Sequence, residues 1–460
     1  MSENFWDQVY TYRGEGLDPL RWIPTCSNEL DSDLLQTTME KVKRCSIKID
    51  PRWFDALHYS DKKAPELTRR VFALNENDVM EKEVTIRHAL SLFQIHSEIG
   101  ENQLLFENML IKFFKKFQSK VLIKKNTVSL TSHQGSQFAL LDYVQLHKGD
   151  KVGFTAASNS AAQVIDPTLN LDSEINSNIA MVKTIDHLNL LGCTSGFVLF
   201  PIYDASSEVM LDRIRENLDA FTSRYNLGME DYSSLKVGRL FFGNTAIANT
   251  LKELPVNYDQ VETGMQLIIS NKFGTLSALG LFMLTKMDPS LAFQLERNGI
   301  NPRDLTKARD HILKNLNEPK FSLGRVISKY CPDFGTNFDK SEHIMAVYPV
   351  SSEGILAVKK LSFLTNSEII INEIPIMNDE IAKFVTKEYL ISNSTIPANG
   401  CHLIVASPNV SNLIIEDLRK HNYEPFIIGY IANKDKPSVK YNTNVGTYLI
   451  SKLKLQNQII

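Results

Sequence analysis

The sequence predicts an α/β protein built from two units, each of which alternates strands with helices. The length is the first indication, because 460 residues exceed one ordinary hydrophobic core. The second is that apolar runs of strand length alternate with helical patterns in both halves of the chain. The third is a charged, nearly glycine-free stretch of helical period at 51–120, which we interpret as an added helical insert.

The chain divides into four predicted segments. They are an N-terminal segment at 1–50 that contains Cys26, the insert at 51–120, a first α/β unit at 121–285 and a second unit at 286–460. The insert fits an αα-hairpin, which either packs on the rest of the chain or binds a partner protein. The second unit opens with a polar helical stretch that runs to about 330, in which Pro302 suits a helix start.

Periodicity predicts the individual elements of both units. In the first unit we expect strands at 121–123, 138–141, 151–156, 197–202, 239–242 and 265–270, and helices at 175–191, 208–225 and 275–284. In the second we expect alternating strands and helices over 351–364, 369–374, 402–406, 410–421 and 425–432.

Composition argues against several classes of protein. A net charge of -3 gives no general attraction to nucleic acid or to anionic membranes. The basic patch at 112–120 also carries three phenylalanines, a pattern typical of an amphipathic helix. No window approaches 18 uncharged apolar residues, so we expect no membrane span. Five scattered cysteines without a C-x-x-C pair, and an N-terminus without an apolar signal region, predict a reduced cytoplasmic protein.

Standard catalytic motifs are missing from the sequence. It contains no G-x-x-x-x-G-K-[ST] phosphate loop and no H-E-x-x-H zinc motif. Gly274-Thr275 follows the apolar run Leu267-Ile268-Ile269 and precedes a helical pattern. Such a pair places backbone N–H groups at a helix start, where an anion can bind, but it is also an ordinary strand-to-helix turn.

Several ordered stretches resemble selenophosphate synthetase and its relative aminoimidazole ribonucleotide synthetase. The opening Tyr12 to Leu20 is similar to the lead-in of archaeal selenophosphate-synthetase-like proteins. The other stretches are Gln134 to Leu140, Val182 to Gly192, Gly243 to Ala246, Glu262 to Thr275, Ile371 to Ile376, Ala398 to Ala406 and Tyr423 to Gly429. The resemblance covers about three quarters of the chain, omits the insert, and implies the two-domain synthetase fold of that superfamily.

The resemblance also implies a site. Cys26 falls at the catalytic cysteine, although a partly buried thiol is the plainer interpretation. Asp166, in Val164 to Pro167, falls near the family's metal-binding aspartate, and a turn residue before Pro167 is its alternative. Lys183, His187, Gly274 and Thr275 complete the expected nucleotide-binding residues. Lys183 and His187 have their own alternatives, a solvated helix lysine and a hydrogen-bonded helix histidine.

Most of the family's acidic ligands are replaced. Ser136 and Gln137 stand where the family has aspartates, and His187 stands where another belongs. The lysine after the catalytic cysteine corresponds to Glu29, and the Asp-x-Thr-Gly-Phe-Gly motif is represented only by Pro349 to Gly354. Mg²⁺ prefers oxygen ligands, usually carboxylates, so these losses are hard to reconcile with efficient use of MgATP.

We therefore expect a catalytically degenerate member of this superfamily that binds a nucleotide, another anion or a protein. The family typically forms homodimers through strands of its N-terminal domains, so a homodimer is expected, with the insert as a possible protein-binding surface. The alternative is an active ATP-dependent phosphotransferase that makes selenophosphate or a related product. A sensor of small anions or nucleotides is a third hypothesis.

Overall fold

The computed structural model describes residues 5–15, 129–130, 141–148, 151–162, 166, 168–231, 233, 240–287, 290–351, 353–388, 390–391 and 393–449. The predictions for Cys26, Glu29, the insert at 51–120, the strand at 121–123, Ser136 and Gln137 lie outside these residues. The described residues form two six-stranded sheets and their helices, which confirms the predicted α/β class.

The first sheet is built from the N-terminal half of the chain. Its elements and the helices between them are α1 (Phe5–Gly14), β1 (Ser129–Leu130), β2 (Leu141–Lys148), β3 (Lys151–Ala162), α2 (Glu174–Leu190), β4 (Ser195–Asp204), α3 (Glu208–Tyr225), β5 (Gly228–Met229) and β6 (Phe241–Thr250). The strand order is β1-β2-β3-β6-β4-β5. Neighbours pair antiparallel except β4 and β5.

The first strand of the second sheet precedes four consecutive helices in the chain, and the other strands follow them. Its elements are β7 (Gln266–Ile269), α4 (Thr275–Met287), α5 (Ser290–Arg297), α6 (Pro302–Asn317), α7 (Phe321–Lys329), β8 (Ala346–Pro349), α8 (Ala357–Leu364), β9 (Ser367–Ile371), α9 (Asp379–Lys387), β10 (His402–Ala406), α10 (Pro408–Lys420), β11 (Phe426–Lys434) and β12 (Ser438–Tyr441). The strand order is β12-β9-β11-β7-β10-β8, antiparallel except for β12 and β9.

Helix α2 holds the two halves together. Ser173 caps its first turn by accepting a hydrogen bond from the Asn176 N–H at 3.3 Å. All its residues except Glu174, Ile175 and Lys183 are buried. It packs on β3 and β6 of the first sheet and on α6 and α7, so its polar residues lie inside the protein.

Alternating apolar side chains build a separate core beside each sheet. Leu199 of β4 and Ala246 of β6 face α2 in the first core, whereas Ile269, Leu403 and Val405 belong to the second. Each fully buried leucine or isoleucine contributes about 1.5–3 kcal/mol relative to an exposed one. In the first sheet, burial of one face selects the strand register, because a slip of one residue would turn these side chains to the opposite face. The second sheet is buried on both faces, since Ile268 and Ile404 pack in a further core.

The bounds of two elements agree with those expected from hydrophobic periodicity in the sequence. α3 spans 208–225 and β10 spans 402–406, so both predictions are confirmed at both ends. β2 begins at Leu141, the last residue of the strand expected at 138–141. The change from the first sheet to the second falls between Thr250 and Gln266, upstream of the division at 285 expected from sequence.

Candidate functional site

The candidate site lies along the C-terminal half of α2. Lys183 and His187 are four residues apart and share one helix face, while Asp186 and Asn189 are three apart and share the neighbouring face. His187 and Asp186 are buried, whereas Lys183 is partly exposed. The first face meets β3, and the second meets the loop that leads into β10.

His187 is a neutral residue inside the protein. Its Nδ1 lies 3.2 Å from the Ser158 hydroxyl of β3, and only 4% of the residue is exposed. Burial and the nearby positive charge of Lys183 lower its pKa to about 3. The residue matched to a metal-binding aspartate therefore carries no charge at neutral pH. Sequence reasoning missed Ser158, because a serine in a strand has no distinguishing pattern.

This neutrality makes stability depend on pH. The folded pKa lies below the unfolded value of about 6.5, so the unfolded chain binds the extra proton between about pH 6.5 and pH 3. Stability from His187 is therefore present above this window and is lost as pH falls through it. We expect wild-type protein to lose roughly 2 kcal/mol more than His187→Gln between pH 7 and pH 5. Urea unfolding at both pH values measures this, and equal losses would contradict it.

Asp166 is enclosed in an ion pair with α6. Its Oδ2 accepts from Arg309 Nε at 2.8 Å and lies 2.7 Å from Nη2, while its Oδ1 accepts from the backbone N–H and hydroxyl of Thr168 at 2.8 and 2.6 Å. Asp166 is fully buried. Both oxygens are thus engaged by protein groups, and binding a metal would require Arg309 to move away.

Gly274 and Thr275 form a packed turn at the start of α4. The N–H groups of Gly274 and Leu276 donate to Thr395 and Ile396 carbonyls at 3.0 and 3.1 Å, and Thr275 Oγ1 accepts from the Ala398 N–H. Gly274 has φ +83°, and a Cβ there would lie 2.9 Å from Ile376, so the position needs glycine. These contacts are those of a strand-to-helix turn, the alternative that the sequence left open.

Asp186 joins α2 to the second sheet. Its Oδ2 accepts from the Gly400 N–H at 3.0 Å and lies 3.1 Å from His402 Nε2. Although burial alone raises the carboxyl pKa, His402 and the Gly400 N–H hold it below the usual range. The His402 ring is close enough for charge attraction, but its angle to Oδ2 is poor for a hydrogen bond. Sequence reasoning missed this pair, because Asp186 lies on helix α2 and His402 lies on strand β10, far away along the chain.

A second buried ion pair occupies the segment matched to the family's Asp-x-Thr-Gly-Phe-Gly motif. Glu353 Oε1 lies 3.2 Å from Lys360 Nζ, and Oε2 accepts from the Ser351 hydroxyl at 2.8 Å. Burial alone would raise the carboxyl pKa of Glu353. The charge of Lys360 and the hydrogen bonds to the carboxylate outweigh burial, so the pKa lies below its usual value. Its negative charge also acts on His187, so this pair faces the same region as α2.

A cavity of about 960 Å³ lies elsewhere on the second unit. It is lined by residues 259–263 and 337–340, with Met345 and Lys434. None of these residues was predicted to belong to the site. Among the residues that the structure describes, no three His, Cys, Asp or Glu side chains are grouped to hold a metal ion. None of the described helices is long and apolar enough to cross a membrane.

The chain resembles several solved structures in overall arrangement. They include thiamine-monophosphate kinase from Stenotrophomonas maltophilia K279a, at 12% identity and TM-score 0.45, covering 72% of this chain and 94% of that one. Thiamine-monophosphate kinase from Aquifex aeolicus, complexed with AMPPCP and TMP, has 14% identity and TM-score 0.45. The match covers 72% of this chain and 92% of that one. Hydrogenase maturation protein HypE has 12% identity and TM-score 0.40, and the match covers 66% of this chain and 88% of that one.

At such identities and TM-scores, the likeness assigns no activity to this chain and no role to any residue. No family model matches the chain, and no curated protein matches it.

Proposed function

We propose that this chain is a selenophosphate-synthetase-like protein that is catalytically degenerate and acts by binding an anion, such as a nucleotide, without turning over MgATP. The observation that carries the proposal is the contact between His187 and Ser158. It puts a neutral, buried pair where the resemblance expects an aspartate that binds metal.

Charge neutralisation is the physical reason. A triphosphate carries about four negative charges, and Mg²⁺ ions held by carboxylates normally offset them during phosphoryl transfer. Here His187 is neutral, and the charge of Asp166 is already compensated by Arg309. These two residues therefore do not fit a magnesium cradle, and we derive no catalytic step through the metal.

Lys183 provides the means of binding an anion. It lies on the same face of α2 as His187 and reaches solvent, whereas its neighbours on the helix are buried. A lysine ammonium is a compact charge that binds phosphate oxygens directly. Because no carboxylate cradle competes for it, we expect an anion to bind Lys183 without a bridging metal ion.

Calorimetric titration with ATP tests this proposal. We expect Mg²⁺ to leave the affinity unchanged or to weaken it, because the metal masks the phosphate charges that Lys183 would meet. Lys183→Ala should reduce the affinity about tenfold, which corresponds to loss of one charge-assisted hydrogen bond. Lys314→Ala is the matched control, since Lys314 is 69% exposed on α6, and should have no effect.

The other outcomes of the titration separate the alternatives. Tight binding that requires Mg²⁺ and is lost in Asp166→Asn would overturn the proposal and support an active ATP-dependent phosphotransferase. ATP consumption with selenide that disappears in Cys26→Ser would support the same alternative. Failure of ATP to bind with or without Mg²⁺ would overturn anion binding, and pull-down with and without 51–120 would then test protein binding.

A homodimer remains part of the proposal. Strands β4 and β6 bury one face against α2, and their other face carries Ile202 and Phe241, which are 38% and 42% exposed. An antiparallel sheet with apolar residues on both faces suits pairing with a second copy. Light scattering should give the mass of two chains, and a monomeric mass that persists at high concentration would exclude it.

A further inference from the structure

A buried polar group lies on the face of α2 that is turned away from Ser158. Asp186 and Asn189 occupy neighbouring turns of this face, and His402 of β10 lies against Asp186. These three residues are 4%, 0% and 1% exposed. Helix α7 closes one side at Gly324, where an added Cβ would lie only 2.9 Å from Asn189 Oδ1.

Several polar atoms of this group lack a partner among the residues that the structure describes. They are Asp186 Oδ1, both ring nitrogens of His402, and both the oxygen and the nitrogen of the Asn189 amide. A buried donor or acceptor without a partner costs about 1–3 kcal/mol, and more when it is charged. Folded proteins pair almost all such atoms with protein groups or with ordered water. Five of them between α2 and β10 therefore indicate an occupant.

The chemistry of these atoms selects the occupant. Asp186 Oδ1 and Asn189 Oδ1 need donors, which excludes a simple anion. The Asn189 NH₂ group needs acceptors, which excludes a bare cation as the sole occupant. Water supplies both, and it serves His402 Nδ1 whether that nitrogen carries a hydrogen or not.

We propose that Asp186, Asn189 and His402 enclose internal water molecules, and that this hydration site joins α2 to β10 and so ties the first sheet to the second. The direct polar contacts across this junction include the Gly400 N–H bond to Asp186 and the approach of His402. Water completes the hydrogen bonds that these contacts leave unmade. The hydration site does not depend on the proposed anion binding at Lys183.

A crystal structure of the full chain that resolves ordered water tests the proposal. We expect electron density within about 2.6–3.2 Å of Asp186 Oδ1 that also reaches Asn189 or His402. A dry site, or density with the coordination of a metal ion, would overturn it.

Asn189→Leu gives an independent test in solution. Leucine has a similar shape but cannot hold water, so we expect the midpoint of thermal unfolding to fall by about 2–4 °C. If the site is dry, the midpoint of thermal unfolding should rise instead, because the substitution would remove two unpaired polar atoms. Asn189→Ala is the companion variant, since it leaves room for an additional water that its crystal structure should show. If leucine prevents folding, the wild-type density alone decides.

Discussion

Glu353→Ala is expected to lower the free energy of unfolding by about 3–5 kcal/mol. Glu353 is 1% exposed and Lys360 is 8% exposed, with 3.2 Å between their charged atoms. Removing the carboxylate takes away the negative charge that lies 3.2 Å from the buried Lys360 ammonium, and removing one member of a buried ion pair is strongly destabilising. It also deprives the Tyr348 and Ser351 hydroxyls of an acceptor.

An exposed pair in the same unit serves as the control. Lys340 Nζ and Glu262 Oε2 are 2.7 Å apart, but both side chains are more than half exposed. Glu262→Ala should therefore cost less than about 1 kcal/mol. Urea unfolding of the two variants measures the difference. Equal losses would show that burial does not govern the contribution of Glu353.

The same carboxylate makes the protein sensitive to acid. The pKa of Glu353 is lowered in the folded state, so its contribution is present above the unfolded pKa and is lost as pH falls through the folded value. Glu353→Gln should therefore flatten the acid limb of the stability curve. An unchanged acid limb would contradict the lowered pKa.

Arg309→Leu is expected to destabilise the protein by a similar amount, about 3–5 kcal/mol. Asp166 is fully buried, and the variant leaves its carboxylate with only the hydrogen bonds from Thr168. Leucine keeps part of the packing on Phe282, whose ring centre lies 5.2 Å from the guanidinium carbon. The loss should therefore report mainly on the unpaired charge.

Two comparisons show whether a loss of stability in Arg309→Leu comes from the buried charge of Asp166. Arg224→Ala removes an exposed pair with Glu174 and should leave the free energy of unfolding almost unchanged. Mg²⁺ should not restore the melting temperature of Arg309→Leu if Asp166 is purely structural. A magnesium-dependent rise in that variant would instead support the sequence prediction that Asp166 is a metal ligand.

The candidate site shows how far residue patterns reach. His187 and Lys183 were singled out by their positions in a helix that resembles a family motif, and the structure places both on one face of α2. Their environment was not predictable. The neutrality of His187 follows first from burial against β3 and then from the positive charge of Lys183. The spacing along α2 records the position of Lys183 but not the burial against β3.

Asp166 shows the converse case. The sequence marks it as an acidic residue before a proline, a pattern that favours a turn residue over a metal ligand. Its partner, Arg309, lies 143 residues away in a helix that the sequence describes only as polar. The ion pair therefore depends on how α6 packs across the loop that carries Asp166.

The sequence by itself determined the two-unit α/β class and the bounds of elements such as α3 and β10, because hydrophobic periodicity and capping residues are local. Only the tertiary structure decided that β7 joins the second sheet, that Gly274 and Thr275 form a packed turn, and that Asp186 meets Gly400 from 214 residues away. The physical reason is that pairing, burial and charge compensation arise between segments distant in the chain, where single-sequence patterns carry no record of the partner.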